Sequence, residues 1–463
     1  MIMKYEYFQY RYELVVLIVL TILVIITSTL IHLPTVSIPS EVMGMKYSDI
    51  VYGVFLDIFS PENIDRPIKL SERWYNSTLF ALLITGKVKR CPLPYIDYFL
   101  EYPPVVALTM LFSTCLSFTL VLPGEYDYFT YSKLIIDVAQ YHLILNALII
   151  LIFALLMIIY LLKLIRLLNL RNIIGRIFIM LFLPSFIIYS IYNWDIITSS
   201  LFIISLYYLC KRKYVVSSLI IGLSILTKLL PLTFVAIFSL SYIFKNNSIF
   251  RSGKELSKYM IPMTLLIFLT ILPIHLASPE VLTDFLLYHG RWYCENCLYQ
   301  IFIRDLGSPL HRLLALLSLL LVIIISSLRI KVSTYVDVLK LALIAMIAST
   351  TLNYVFTPQM ILLIAPLALL LLNKCEVTMY VIADVTNALI MILFFMDKEL
   401  RKLINMYLDL GLSIVFNPWS IDSPIQWLAM VRNVLLIILL IKLILSMCTI
   451  KSRSTLISNI QIR

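Results

Sequence analysis

The sequence predicts an all-α fold: a polytopic transmembrane helical bundle of about twelve spans, with a structured first extracytoplasmic loop containing interfacial helices. Three observations carry this expectation. Of the 463 residues, 61% are hydrophobic and 14% charged, with a mean hydropathy of +0.96. A soluble protein runs nearer ~45–50% apolar and about 25% charged, so there are too few charges here to clothe a soluble surface. The charges fall in short gaps between apolar runs, many of them near the ~20 residues that cross a bilayer. Finally, Lys and Arg concentrate in alternate gaps, as the positive-inside rule requires. The net charge of +11 is therefore read as topology and not as a polyanion site, and no nucleic-acid partner is expected.

The first run, 13–33, follows Lys4 and Arg11 and is long enough to be a retained anchor, not the shorter apolar core of a signal peptide. Residues 34–102 form the longest polar stretch, nearly neutral with seven Lys/Arg and eight Asp/Glu, and read as a folded outer loop. Further apolar stretches lie at 131–162, 177–192, 196–210, 214–227, 231–244, 259–276, 311–328, 334–351, 358–373, 377–396 and 427–448. The stretch 103–122 is ambiguous. If it lies along the interface instead of crossing, the basic gaps at 163–176, 211–213, 245–258, 329–331 and the C-terminal tail all fall inside. Nineteen Lys/Arg then face three acids on the inner side, while the large outer segments 34–102, 277–310 and 397–426 hold sixteen acids. That asymmetry favours twelve spans with both termini inside. The break at Lys228-Leu-Leu-Pro231 is the soft point, because 214–244 could be one kinked helix. The seven cysteines are scattered, which argues against a disulfide framework, and the lone Cys294-x-x-Cys297 is a weak metal signal.

Chemistry is expected where the outer segments converge. In Lys46-Tyr47-Ser48-Asp49-Ile50-Val51-Tyr52-Gly53-Val54-Phe55, a carboxylate just above the membrane could accept a proton from an attacking hydroxyl. A solvated loop acid is the plainer reading. Glu101-Tyr102-Pro103-Pro104 starts a helix, because proline lacks the N–H that a first turn leaves unpaired. In Tyr192-Asn193-Trp194-Asp195 the aromatics suit an interfacial belt, whereas Asp195 at the head of a span needs pairing or water. Lys228 is a lone cation between apolar runs, either snorkelling or facing a phosphate. Tyr288-His289-Gly290-Arg291 offers an Arg for bidentate phosphate recognition with a His beside it. Asn353-Tyr354-Val355-Phe356-Thr357-Pro358-Gln359 marks another outer turn.

These motifs, in this order, resemble the GT-C superfamily of integral membrane glycosyltransferases that use polyprenyl-phosphate sugars. KYSDIVYGVF, YPPV, KLLP and YHGR are similar to segments of GPI mannosyltransferase I, and with NWD and TPQ to prokaryotic polyprenol-phosphate-mannose-dependent enzymes of glycosyltransferase family 87. The resemblance covers about residues 46–360. It implies a GT-C-like catalytic module over 1–276, with its outer loop at 34–122, and a C-terminal membrane module over 277–463. It also implies transfer of a hexose, with mannose foremost, from a polyprenyl- or dolichyl-phosphate donor to a lipid-linked or glycan acceptor at the extracytoplasmic face. The membrane would be the cell membrane, or the endoplasmic reticulum in a eukaryote, with membrane lipids as further partners.

Carried over residue by residue, Asp49 would be the catalytic carboxylate, working with a near-normal pKa. Asp57, Glu101, Tyr102, Asp195, Lys228, His289 and Arg291 would bind substrate, the last two and Lys228 facing the donor phosphate. The GPI-type motif has a second acid where this chain has Val51, so no residue is assigned as a metal ligand. A divalent cation remains open only if Asp57 or Glu101 completes a site with Asp49. A transporter or flippase of a lipid-linked glycan is the alternative, disfavoured by scarce Gly and no visible repeat. The oligosaccharyl- and protein-glycosyltransferase branch of the superfamily is disfavoured by the short segment after the last span.

Overall fold

The computed structural model describes residues 2–62, 74–88, 90–170, 173–245 and 252–460. Of the charges assigned above, Asp65, Arg66, Lys69, Glu72, Arg73 and Lys89 of the first long loop, and Arg171 and Arg251, lie outside the described residues. The described residues form helices and no strands, with three isolated bridges in the loops. In chain order these helices are α1 (Ile2–His32), α2 (Leu56–Phe59), α3 (Ser77–Ile84), α4 (Pro104–Val121), α5 (Tyr128–Leu167), α6 (Ile174–Phe182), α7 (Pro184–Tyr189), α8 (Asp195–Cys210) and α9 (Tyr214–Ile225). They continue as α10 (Leu232–Lys245), α11 (Gly253–Ala277), α12 (Val281–Arg291), α13 (Leu310–Arg329), α14 (Tyr335–Thr351), α15 (Ala365–Leu371), α16 (Lys374–Ile392), α17 (Asp397–Leu408) and α18 (Pro424–Ile460).

Seven of these are long and apolar enough to cross a membrane: Tyr12–His32, Pro104–Val121, Tyr128–Leu167, Gly253–Ala277, Leu310–Arg329, Lys374–Ile392 and Pro424–Cys448. The chain is thus a helical protein with the makings of a membrane protein. Where the sequence predicts twelve comparable spans, several are shorter or broken. The run 177–192 splits at Leu183, whose ψ of 132° leaves the helical region ahead of Pro184. A residue before proline is pushed out of the α region by its ring, so the break is local and covalent in origin. The run 358–373 likewise divides into a 3₁₀ turn, Pro358–Leu363, and α15. Residues 214–244 form two helices, α9 and α10, separated at 226–231, and not one kinked helix.

Helix α14 is buried continuously from Leu341 to Thr351 and packs against α10, α18 and α15. One contiguous apolar core runs from Leu17 to Met447. Helix α4 folds back along the first part of α5: Phe118 stacks on Tyr131 at 6.2 Å, and Asn146 donates to Ser113 at 2.8 Å. That return also corrects the cysteine reading. Four of the seven cysteines are disulfide-bonded, Cys91 with Cys115 and Cys294 with Cys297. Separation along the chain conceals the first pair, since only the fold of α4 onto the 74–100 segment brings Cys115 to Cys91.

Candidate functional site

Asp49 opens a short, wide helix, Asp49–Phe55, in which Gly53 N–H donates to Ser48 C=O five residues back at 3.3 Å. Such π-type turns are rare and recur at functional sites. The turn is fixed from both ends: Asp49 N–H donates to Tyr192 C=O at 2.9 Å, and the Tyr47 ring rests on Tyr192 at 5.6 Å. The carboxylate is half-buried, and its Oδ2 accepts three hydrogen bonds. Asn193 Nδ2 donates at 2.8 Å, Tyr102 Oη at 3.1 Å and Gln359 Nε2 at 3.2 Å. Oδ1 lies over Gly53, where an added Cβ would come within 3.1 Å of it and 2.7 Å of Tyr47 Oη. Glycine is required there by close approach, not by an unusual φ.

Neutral donors and negative neighbours act on this group together. The Asp49 pKa is raised to about 7, by burial first and then by the charge of Glu295; the Tyr102 bond opposes the rise, and Glu101 and Lys228 pull in opposite directions. The near-normal value expected from the sequence is therefore corrected upward. Glu295, between the two disulfide-bonded cysteines, is itself raised, by burial first, against the Trp292 indole bond at 3.0 Å and the Arg432 charge.

Tyr102 packs edge-on to Trp194 at 5.0 Å, and Trp194 donates to Asn146 Oδ1 at 2.9 Å. A buried polar chain thus ties the Asp49 turn to the middle of α5. Two residues on, Asp195 heads α8, where the helix dipole favours an acid. Its Oδ1 pairs with Lys228 Nζ at 2.5 Å, with side chains 0% and 19% exposed. Lys228, a lone cation in the sequence, is thus paired with a carboxylate in the fold. Asp195 Oδ2 and Thr198 Oγ1 are buried with no hydrogen-bond partner among the described residues.

Of the residues predicted from the sequence, Asp49, Glu101, Tyr102, Asp195 and Lys228 come together. Asp57, half-buried on α2, is not among the charges that act most on Asp49. His289 and Arg291 are exposed at the end of α12, and His289 Nδ1 bonds Phe285 C=O of its own helix at 2.9 Å. Their helix reaches the site through Tyr288, whose ring meets Phe99 at 5.3 Å, but no hydrogen bond or ion pair among the described residues links either side chain to Asp49 or Lys228.

Asn193, Gln359 and Glu295 complete the site without having been singled out. The first two lay within recognised motifs, and all three are polar residues in turns between apolar runs. Arg432 carried no signal. It lies fully buried in α18, its guanidinium 3.6 Å from the Phe356 ring centre. It donates to Asn387 Oδ1 at 2.7 Å, Phe356 C=O at 3.0 Å and Asn296 C=O at 3.3 Å. It pins the 295–297 and 355–357 turns, which also meet directly through Glu295 N–H to Tyr354 C=O at 3.1 Å.

Three hydrogen-bond donors occupy Asp49 Oδ2, and among the described residues no group of three metal-capable side chains includes Asp49. What the arrangement can do is take up and release a proton near neutral pH beside a paired cation. Neither the family models nor the curated proteins compared with the chain match it.

Proposed function

We propose that the chain is a membrane glycosyltransferase that moves a hexose, mannose foremost, from a polyprenyl- or dolichyl-phosphate donor to a lipid-linked or glycan hydroxyl on the extracytoplasmic side. The observation that carries the reading is Asp49: a half-buried carboxylate with one oxygen saturated by donors, the other turned to a glycine, and a pKa of about 7. General bases work best with a pKa near the working pH.

In the reaction the acceptor oxygen attacks the anomeric carbon and its proton passes to Asp49 Oδ1. The bond between that carbon and the phosphate oxygen breaks, and its electron pair leaves with the polyprenyl phosphate. Developing charge on the leaving oxygen is the main electrostatic demand. Lys228, within the field of Asp49 and partly open at 19% exposure, is the nearest cation we assign to it, shared with Asp195.

The depth of the site supports the same reading. Helix α5 has 40 residues and is about 60 Å long, roughly twice a bilayer core. We assign its second half to the membrane and the half that α4 covers to the outer side. On that assignment the Trp194–Asn146 bond, midway along α5, is consistent with a site near the boundary.

A second reading, a flippase for a lipid-linked glycan, draws on the broken helices at Leu183 and Ile364, since transporters place discontinuous helices around their substrate. One experiment separates the two. Purified protein in detergent is given a labelled polyprenyl-phosphate hexose and candidate acceptors. Release of polyprenyl phosphate with label on the acceptor is expected; an intact donor with every acceptor, alongside movement of lipid-linked glycan across liposomes, would replace the enzyme with the flippase.

A further inference from the structure

Cys294, Cys297 and His311 lie together behind the Glu295 turn, each almost fully buried at 2%, 0% and 1% exposure. Their ligand-capable atoms fall within 4.8 Å of one another, with Cys297 Sγ and His311 Nδ1 at 3.9 Å. The sulfur-to-nitrogen edge of a tetrahedral zinc site, with bonds of about 2.3 and 2.05 Å, is roughly 3.6 Å. The two-residue spacing between the cysteines is that of a zinc knuckle. Asn296 between them takes a left-handed φ of 51°, which curls the turn so that both sulfurs point the same way.

The tautomer of His311 is the independent observation. Its Nε2 lies 2.8 Å from Asp305 C=O, an acceptor only, so Nε2 carries the proton and Nδ1 presents a lone pair to Cys297. A histidine that ligates a metal is held this way, its far N–H given to a backbone carbonyl. In the disulfide neither sulfur has a hydrogen to offer, so the buried lone pair faces a group that cannot donate. Either a thiol or a cation would answer it, and only a cation answers all three atoms. Leu306, Leu314, Ala315 and Tyr354 pack around the three side chains.

We propose that Cys294, Cys297 and His311 form a binding site for a zinc-type divalent cation, with the disulfide as the oxidised form of the same site. Opening the disulfide takes two electrons and two protons from a dithiol, which is itself oxidised to a disulfide. One Zn²⁺ then binds both sulfurs as thiolates, releasing two protons, with the His311 Nδ1 lone pair as third ligand. This assignment stands apart from the transferase reading. Its structural consequence is that the cation would rigidify the turn carrying Glu295 and Asn296, and hence the contacts of that turn with Tyr354, Phe356 and Arg432.

The test uses the full chain in detergent, reduced with a phosphine, stripped with a chelator, incubated with Zn²⁺ and desalted. One equivalent of zinc per chain should be retained beyond that held by the Cys294→Ser/Cys297→Ser variant, and His311→Ala should lose most of it. Co²⁺ in the wild-type chain should show tetrahedral d–d bands with thiolate-to-metal charge transfer, a readout that needs no variant to fold. Zinc retention no greater than in the double-serine chain, or a Co²⁺ spectrum without charge transfer, would overturn the site. So would cysteines 294 and 297 that stay closed to alkylation in the reductant.

Discussion

Asp49 and Asp195 are joined through the Tyr192–Asn193 segment, which bonds the first and leads into the second, and the protein treats them differently. Asp49 is held by three uncharged donors and pushed up to about 7 by burial and by Glu295. Asp195 is fully buried and paired with Lys228. The difference lies in the partners and not in the residue. Neutral donors hold Asp49 in place while leaving it free to take a proton, whereas a contact cation holds Asp195. The molecule thus separates a group that can move a proton from a group that holds a cation in place.

Breaking the ion pair should have the largest effect on stability. Lys228→Met leaves Asp195 buried without its cation, which should cost about 3–5 kcal/mol and lower the Tm in detergent, with Asp195→Asn/Lys228→Met recovering part of the loss. A Lys228→Met chain as stable as the wild type would mean the pair does not hold the fold.

Next comes Tyr102→Phe. It removes one bond to the charged form, worth ~1.5–3 kcal/mol, so the Asp49 pKa rises and the acidic limb of the transfer rate moves to higher pH. Glu295→Gln should act in the opposite sense. It removes a charge that raises the pKa, so the acidic limb moves to lower pH and transfer at pH 6 increases. Limbs that move together in the two variants would show that Asp49 is not the group titrating. The smallest effect belongs to Arg291→Ala, an exposed site away from these networks, expected within ~0.5 kcal/mol in kcat/KM. A large rise in KM would instead bring Arg291 into the donor site.

Much of the site was legible because its residues break apolar runs. Asp49, Tyr102, Asn193 and Gln359 each fall in a polar or proline-marked turn, and a turn between hydrophobic segments is visible without a fold. Glu295 was readable as a residue but not as a neighbour, since only the pairing of Glu295 with Tyr354 carries it to the site. Arg432 could not be read at all: inside an apolar stretch it resembles a chance cation, and three of its partners are main-chain carbonyls or amide groups that any sequence supplies. The helix lengths depart from the expected spans for a related reason. Hydropathy registers apolar runs, but two of them divide, ahead of Pro184 and at Ile364, and α9 and α10 are 12 and 14 residues long, short of the ~20 a crossing needs.

The central claim is that Asp49 carries the proton, and Asp49→Asn tests it most directly. The amide keeps the size of the side chain while removing the base. Transfer from a polyprenyl-phosphate hexose should fall by about 10²–10⁴-fold, with the protein eluting from size exclusion as the wild type does and binding donor as before. An Asp49→Asn chain that transfers sugar at the wild-type rate, with an unchanged acidic limb near pH 7, would contradict the account.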